Sequence, residues 1–296
     1  MIIVTGAAGF IGSNIIAALN ERGRGDILAV DNAEIPAETL HLHALKVQSF
    51  LARPDLPAWL EKNARAVDGI IHMGACSDTT QSDRAFMLSN NTDYTRKLWD
   101  FCAHHQKRFV YASSAATYGD GSLGYDDAAD PKRLKPLNLY GESKQLFDLF
   151  ALEQKQTPLG WAGLKFFNVY GPRENHKGRM ASVAFHSFNQ IRETGKVRLF
   201  KSDRPGIPDG GQQRDFIYVN DCVAAILHFF NRLINADAFK ERELFASFYP
   251  ELTALTKDHY EQQAFIYLDI ISWVKSKVNN LTLEQVVTQS FEEMKK

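Results

Sequence analysis

Met1-Ile-Ile-Val-Thr-Gly-Ala-Ala-Gly-Phe-Ile-Gly12 runs an apolar strand straight into a glycine-rich turn. The apolar segment from Ile11 to Leu19 then continues as helix. Gly6, Gly9 and Gly12 let the backbone turn tightly and bring amide N–H groups against an anion at the helix N-terminus. A dinucleotide pyrophosphate is the usual occupant of such a strand–turn–helix. The pattern gains force beside Tyr140-Gly-Glu-Ser-Lys144, because a redox cofactor needs groups that move protons while it moves hydride.

Strand and helix signals alternate outward from this opening. Short apolar runs at Ile27–Val30, Asp68–His72, Arg108–Ala112 and Ala162–Phe167 end at Asp31-Asn32, Gly74-Ala75, Ser113-Ser114 and Asn168. Helix-like stretches lie between them, as in Arg84 to His104 and Tyr140 to Gln154. This alternation predicts an α/β fold, a Rossmann-like doubly wound parallel sheet with right-handed crossovers. Ligands of such sheets bind beyond the carboxyl ends of the strands, so Gly6, Asp31, Gly74, Ser114 and Asn168 should line one crevice. Residues 1–167 and 212–230 are expected to form the dinucleotide-binding part, and 168–211 a substrate-binding segment. Two polar loops, Gly119 to Asn138 and Lys201 to Gln213, are expected to carry binding function.

From Asn231 onward the alternation stops, glycine vanishes and only Pro250 interrupts helix-like sequence. Ala264, Tyr267, Leu268, Ile271, Val274 and Val278 recur at helical spacing. Phe265, Ile266, Ile270 and Trp273 fall outside that stripe, so the helix is apolar on more than one face. Thr282 and Gln285 resemble a capping box for a last helix. Residues 231–296 thus read as an atypical, mostly helical C-terminal lobe, packed on the sheet or lying in an interface.

Bulk properties narrow the class. The chain has 296 residues, 45% of them apolar and 23% charged, with a net charge of −1. That is an ordinary globular composition, and near-neutral charge points to no nucleic-acid partner and no membrane surface. The N-terminus lacks a basic region and its apolar run is broken by glycines, so neither a signal peptide nor a membrane span is expected. Cys76, Cys102 and Cys222 show no ligand or disulfide spacing. His41/His43 and His104-His105 read as surface or packing histidines, so no metal is expected, and the cytoplasm is the simplest compartment.

Individual residues then take chemical roles. Asp31, after a buried strand, stands where a carboxylate accepts from the adenosine ribose. Arg53 offers a compensating charge for a ribose 2′-phosphate, leaving NADP and NAD both open. Tyr140 and Lys144, one helical turn apart, share a face. The ammonium should favour the phenolate of a phenol whose free pKa is about 10. Ser114 should hydrogen-bond the substrate oxygen.

These features resemble the extended short-chain dehydrogenases/reductases that act on nucleotide sugars, the NAD-dependent epimerases and dehydratases. Matching stretches are Met1 to Asn14, His72 to Thr80, Tyr111 to Gly119, Pro136 to Lys144, Phe167 to Gly178, Met180 to His186 and Arg214 to Val219. They cover roughly the first 230 residues, and the block from Asn168 to His186 points within the family to the branch acting on an ADP-heptose. The resemblance implies epimerisation at C6″ by transient oxidation and re-reduction, in a homo-oligomer using NADP, with NAD as the alternative. It implies that Gly6, Gly9, Phe10, Ile11, Gly12, Asp31, Asn32, Arg53, Met73, Gly74, Ala75, Cys76, Ser77, Asn90, Lys144, Val169 and Lys177 hold the cofactor. Asn168, Arg179, His186, Phe200, Lys201, Ser202, Asp203 and Arg214 would hold the sugar nucleotide. Ser114, Tyr140, Lys144 and Lys177 would be catalytic, with Lys177 the second acid/base, its pKa lowered by burial or a nearby cation. Ala115 and Ala116 stand where dehydratases of the family carry an Asp-Glu pair, which disfavours elimination.

The resemblance ends near Phe230. Glu38 replaces a second basic residue after the second strand, and Arg179 replaces a small serine. Two other readings therefore stand: action on a different nucleotide sugar, or cofactor binding without turnover by a protein whose tail binds a partner.

Overall fold

The computed structural model describes residues 1–32, 42, 44–126, 130–202, 205–212 and 215–232. The helices expected in the tail beyond residue 232, and Glu38, His41 and His43, lie outside the described residues. Six parallel strands form the main sheet: β1 (Ile2–Thr5), β2 (Ile27–Asp31), β3 (Ser49–Ala52), β4 (Gly69–His72), β5 (Arg108–Ser114) and β6 (Gly160–Phe166). Their order is β3-β2-β1-β4-β5-β6. The chain winds one way from β1 to β3 and the other way from β4 to β6. The switch point therefore falls between β1 and β4, where doubly wound sheets open a crevice. The parallel α/β reading of the sequence is confirmed.

Side-chain alternation along the strands feeds two cores. Ile2 and Val4 pack with Ile15, Ile16 and Leu19 of α1 (Phe10–Glu21). Val223, Ile226, Leu227 and Phe230 of the last described helix, Val219–Arg232, complete that side. Ile3 and Ile70 face the opposite core, with Leu56 and Leu60 of α2 (Leu56–Asn63). Leu98, Trp99 and Cys102 join them there, as does Phe147. Each fully buried aliphatic or aromatic side chain contributes roughly 1.5–3 kcal/mol, so both faces of the sheet are held. Among the described residues no helix is long and apolar enough to cross a membrane.

Three elements differ from the expectation. Strand β3 went unread because Ser49-Phe-Leu-Ala52 is a short, partly exposed edge with little apolar signal. The single helix expected over Arg84 to His104 is α3 (Arg84–Met87) and α4 (Tyr94–His104) joined by a π-helical turn, Leu88–Asp93. Such turns widen a helix locally and recur at functional sites. Finally, β6 ends at Phe166, and Asn168 instead opens β7 (Asn168–Tyr170), which pairs in parallel with β8 (Phe216–Tyr218) in a second, two-stranded sheet. The expected helix from Tyr140 to Gln154 is α5 (Leu139–Glu153), N-capped by the Asn138 side chain. Between β7 and β8 lies α6 (Val183–Thr194), and the helix following β8 is α7.

Candidate active site

The opening turn is shaped by backbone crowding. Gly6 has φ +65°, and a Cβ there would lie 2.8 Å from the Gly74 nitrogen. A Cβ on Gly12 would lie 2.0 Å from the Gly6 carbonyl oxygen. Any side chain at Gly12 would therefore collide with the turn that precedes it. Helix α1 starts at Gly9 with no side-chain cap, which leaves its first-turn amides for another acceptor. Together, the bare backbone strip and the helix N-terminus form a cradle suited to a pyrophosphate.

Around this cradle the strand ends converge. Asp31 accepts from the Ala8 amide through Oδ2 and from the Asn32 amide through Oδ1, both at 2.9 Å. Its carboxylate thus pins the glycine turn to the end of β2, a duty the sequence reading did not foresee. Arg53, just past β3, hydrogen-bonds Asn90 through Oδ1 and the main-chain carbonyl. The guanidinium also lies 4.2 Å from the centre of the Tyr94 ring. The loop from Met73 to Ser77 is held by Asn91, which accepts from the Cys76 amide and donates to the Cys76 carbonyl, both at 2.9 Å. Asn91 also donates to Ser143 on α5 at 3.0 Å. Sequence reasoning passed over Asn91; an Asn-Asn-Thr run inside an otherwise helical stretch was the available signal.

Tyr140 and Lys144 do share one face of α5. The Lys144 amine lies 6.0 Å from the centre of the Tyr140 ring and donates to the Ala112 carbonyl at 2.8 Å. Tyr140 stands beside Ser114. Burial raises the Tyr140 phenol above its ordinary value, and the Ser114 hydroxyl pulls it part of the way back. The expected lowering by Lys144 does not appear: burial is the largest influence on the phenol, and Cys76 and Asp148 add to the rise. Lys144 itself is lowered to about 8 by burial, against the opposing charge of Asp148.

Lys177 lies in a 3-10 segment, Asn175–Met180. Its segment is docked on α1 by Asn14, which donates to the Pro172 carbonyl at 2.9 Å, and by Arg173, which donates to the Ser13 carbonyl at 3.3 Å. Buried Glu174 braces it from inside: its carboxylate accepts from the Gly171 amide and from both the amide and hydroxyl of Ser182. Burial lowers the Lys177 amine, with Glu174 opposing, so burial supplies the lowering that the sequence reading required.

The other predicted site residues lie on β7, on α6 and in the loops that follow. Val169 is central in β7, and Asn168 is exposed with its amide donating to the Asp215 carbonyl at 2.8 Å. His186 is half-buried on α6. Arg179 reaches Thr80 at 3.4 Å. Phe200 and Lys201 are exposed, and the Ser202 amide donates to Asp209 at 2.7 Å. Asp203 and Arg214 lie outside the described residues.

A family model described as the NAD dependent epimerase/dehydratase family matches residues 2–240. A protein of Fusobacterium nucleatum subsp. nucleatum named ADP-L-glycero-D-manno-heptose-6-epimerase is 51% identical over 228 residues, covering 75% of this chain and 69% of that protein. The structure is similar to the Helicobacter pylori ADP-L-glycero-D-manno-heptose-6-epimerase, with a TM-score of 0.64 and 28% identity, over 79% of this chain and 72% of that one. It is also similar to MoeE5 in complex with UDP-glucuronic acid and NAD, with a TM-score of 0.58 and 25% identity, over 77% and 71% of the two chains.

Proposed function

Because this chain belongs to the NAD dependent epimerase/dehydratase family, we propose that it inverts C6″ of an ADP-heptose by transient oxidation and re-reduction. The relatives named for that reaction support the substrate, and the glycine cradle supports a nicotinamide dinucleotide. When bound, that cofactor supplies a hydride acceptor that later returns the same hydride.

The chain's own residues supply proton transfer and orientation. Ser114 hydrogen-bonds the reacting oxygen, and Tyr140, ionised with the Ser114 hydroxyl opposing the cost of burial, takes the substrate hydroxyl proton as the carbon is oxidised. Lys144 orients the nicotinamide ribose and adds positive charge beside the phenol. Inversion requires the ketone to present its opposite face before reduction, so a second proton donor must serve the second orientation. Lys177 is that donor, and its lowered pKa brings it toward the working pH. Ala115 and Ala116 carry no titratable group, which disfavours elimination. What carries this reading is a phenol beside a serine on α5, together with a half-buried amine in a segment braced on α1.

Gly6, Gly9, Phe10, Ile11, Gly12, Asp31, Asn32, Asn90 and the Met73 to Ser77 loop hold the dinucleotide in this proposal. NADP is favoured over NAD by Arg53, whose guanidinium stands at the end of β3 beside the Asp31-bearing strand. Asn168, Arg179, His186 and the Phe200 to Asp203 stretch hold the sugar nucleotide, with Arg214. A homo-oligomer in the cytoplasm completes the proposal. Incubation with ADP-D-glycero-D-manno-heptose and either dinucleotide, followed by proton NMR, should show the L-glycero epimer without net cofactor reduction. Protein that binds cofactor yet yields neither epimer nor ketone would refute the assignment.

A further inference from the structure

Beneath the Tyr140–Lys144 pair lies a charged cluster that the reaction just described does not use. Asp148, one helical turn after Lys144, is fully buried, and Lys165 on β6 is only 2% exposed. Their charges meet at 3.4 Å. Asp148 also accepts from the Tyr111 hydroxyl at 2.9 Å and from the Ser113 hydroxyl at 2.7 Å. Lys165 donates to the Thr117 hydroxyl at 2.6 Å, and its amine lies 4.9 Å from the centre of the Tyr118 ring. Thr117 in turn donates to the Ser114 carbonyl at 2.8 Å.

Traced through, these contacts form a chain. From Asp148 it passes across to Lys165 and Thr117, then to the carbonyl of Ser114, which stands beside Tyr140, one helical turn before Lys144 on the helix that carries Asp148. A buried ion pair is a poor source of stability, since desolvating both charges offsets their attraction. Its satisfied hydrogen bonds do fix geometry, because each partner can move only by leaving a buried polar atom unpaired. The pair thus ties the catalytic helix to the ends of β5 and β6 at the point where phenol and hydroxyl must meet.

We infer that Asp148, braced by Lys165, is a positioning residue for Tyr140 and Lys144, setting α5 against Ser114 and holding a negative charge beneath the Lys144 amine. The inference rests on the catalytic reading of Tyr140 and Lys144. Titratable groups around Lys144 are Tyr140 and Asp148 on its own helix, His72 at the end of β4, Cys76 beyond it, Tyr111 on β5 and Lys165 on β6. Of these, Asp148 acts on Lys144 by raising its pKa against burial.

The test uses the full chain with lysines labelled at Cε, following the Lys144 titration by NMR with and without dinucleotide. Asp148→Asn should lower the Lys144 pKa by about one unit, a tenfold loss of proton affinity. Ser113→Ala removes a bond to the same carboxylate but keeps its charge, and should leave the titration in place. An unchanged Lys144 titration in folded Asp148→Asn overturns the inference, and so does an equal fall in Ser113→Ala. If Asp148→Asn does not fold, the double variant Asp148→Asn/Lys165→Met should show a smaller fall in the same direction, because the lost cation offsets part of the lost anion; a value unchanged or raised overturns the inference. Failure of the wild-type chain to epimerise ADP-heptose would count against the proposed reaction instead, since the titration is read without turnover.

Discussion

The Lys177 amine lies 5.3 Å from the centre of the Phe10 ring, so the proposed second acid/base rests on the first residue of the helix that follows the glycine turn. A residue from the segment after β7 is thereby brought to the start of α1, beside the glycine turn. Loss of this amine should remove more than cofactor affinity. In Lys177→Met we expect epimerisation at saturating dinucleotide to fall roughly 100-fold or more, a range set by general acid–base contributions, so that weaker cofactor binding does not account for the loss. Turnover assays with parallel calorimetric titration decide it; unchanged turnover would remove Lys177 from the mechanism.

Tyr140→Phe deletes the phenol hydroxyl and keeps the ring. Activity should drop by about 10²–10⁴, with little change in melting temperature because the ring itself is kept. A circular-dichroism melt alongside the kinetics separates lost chemistry from lost fold.

Gly12→Ala tests the cradle. Its Cβ would meet the Gly6 carbonyl oxygen at 2.0 Å, a backbone atom that cannot swing aside. We expect a destabilisation of about 1–3 kcal/mol or more and loss of dinucleotide binding. Wild-type affinity in this variant would show that the turn does not hold the cofactor.

Arg53→Leu should weaken NADP binding about tenfold more than NAD binding, because only the 2′-phosphate offers the guanidinium an anionic partner. Equal losses for both dinucleotides would assign Arg53 to packing on Tyr94 and Asn90, and would leave NADP without its advocate.

His72 sets a pH signature. It is buried between Thr5 and Thr95, bonded at 2.6 and 2.9 Å. Burial, aided by the charges of Lys144 and Arg53, holds its pKa well below 6.5. Thr95 donates to the Asn91 carbonyl, so it accepts from Nε2–H, and Nδ1 accepts from the Thr5 hydroxyl. The unfolded chain takes a proton at about 6.5 while the folded chain refuses it, so the unfolded state binds more protons below that pH. Stability should therefore fall as pH drops below about 6.5, by up to about 1.4 kcal/mol per unit for this one group. Denaturant melts of wild type and His72→Asn between pH 5 and 8 should show a shallower slope in the variant; equal slopes would acquit the histidine.

How much could be read in advance depended on where each signal lies along the chain. The glycine turn, the apolar strands and the Tyr140/Lys144 spacing are local patterns, because hydrophobic periodicity and backbone sterics act over a few residues. They determined the parallel sheet, the crevice and the face shared by Tyr140 and Lys144. Edge strand β3 escaped because four half-exposed residues carry too little periodicity. Asn91 escaped because its partners, Cys76 and Ser143, lie in other elements.

Sequence alone, then, determined the strand–turn–helix opening and the chemistry-bearing residues at the strand ends, since those follow from periodicity and from what glycine permits. Only the tertiary structure decided that Asp31 pins the turn, that burial raises Tyr140 while lowering Lys144 and Lys177, and that Asp148 meets Lys165 beneath them. Desolvation and long-range pairing depend on which surfaces the folded chain removes from water, and no local pattern encodes that.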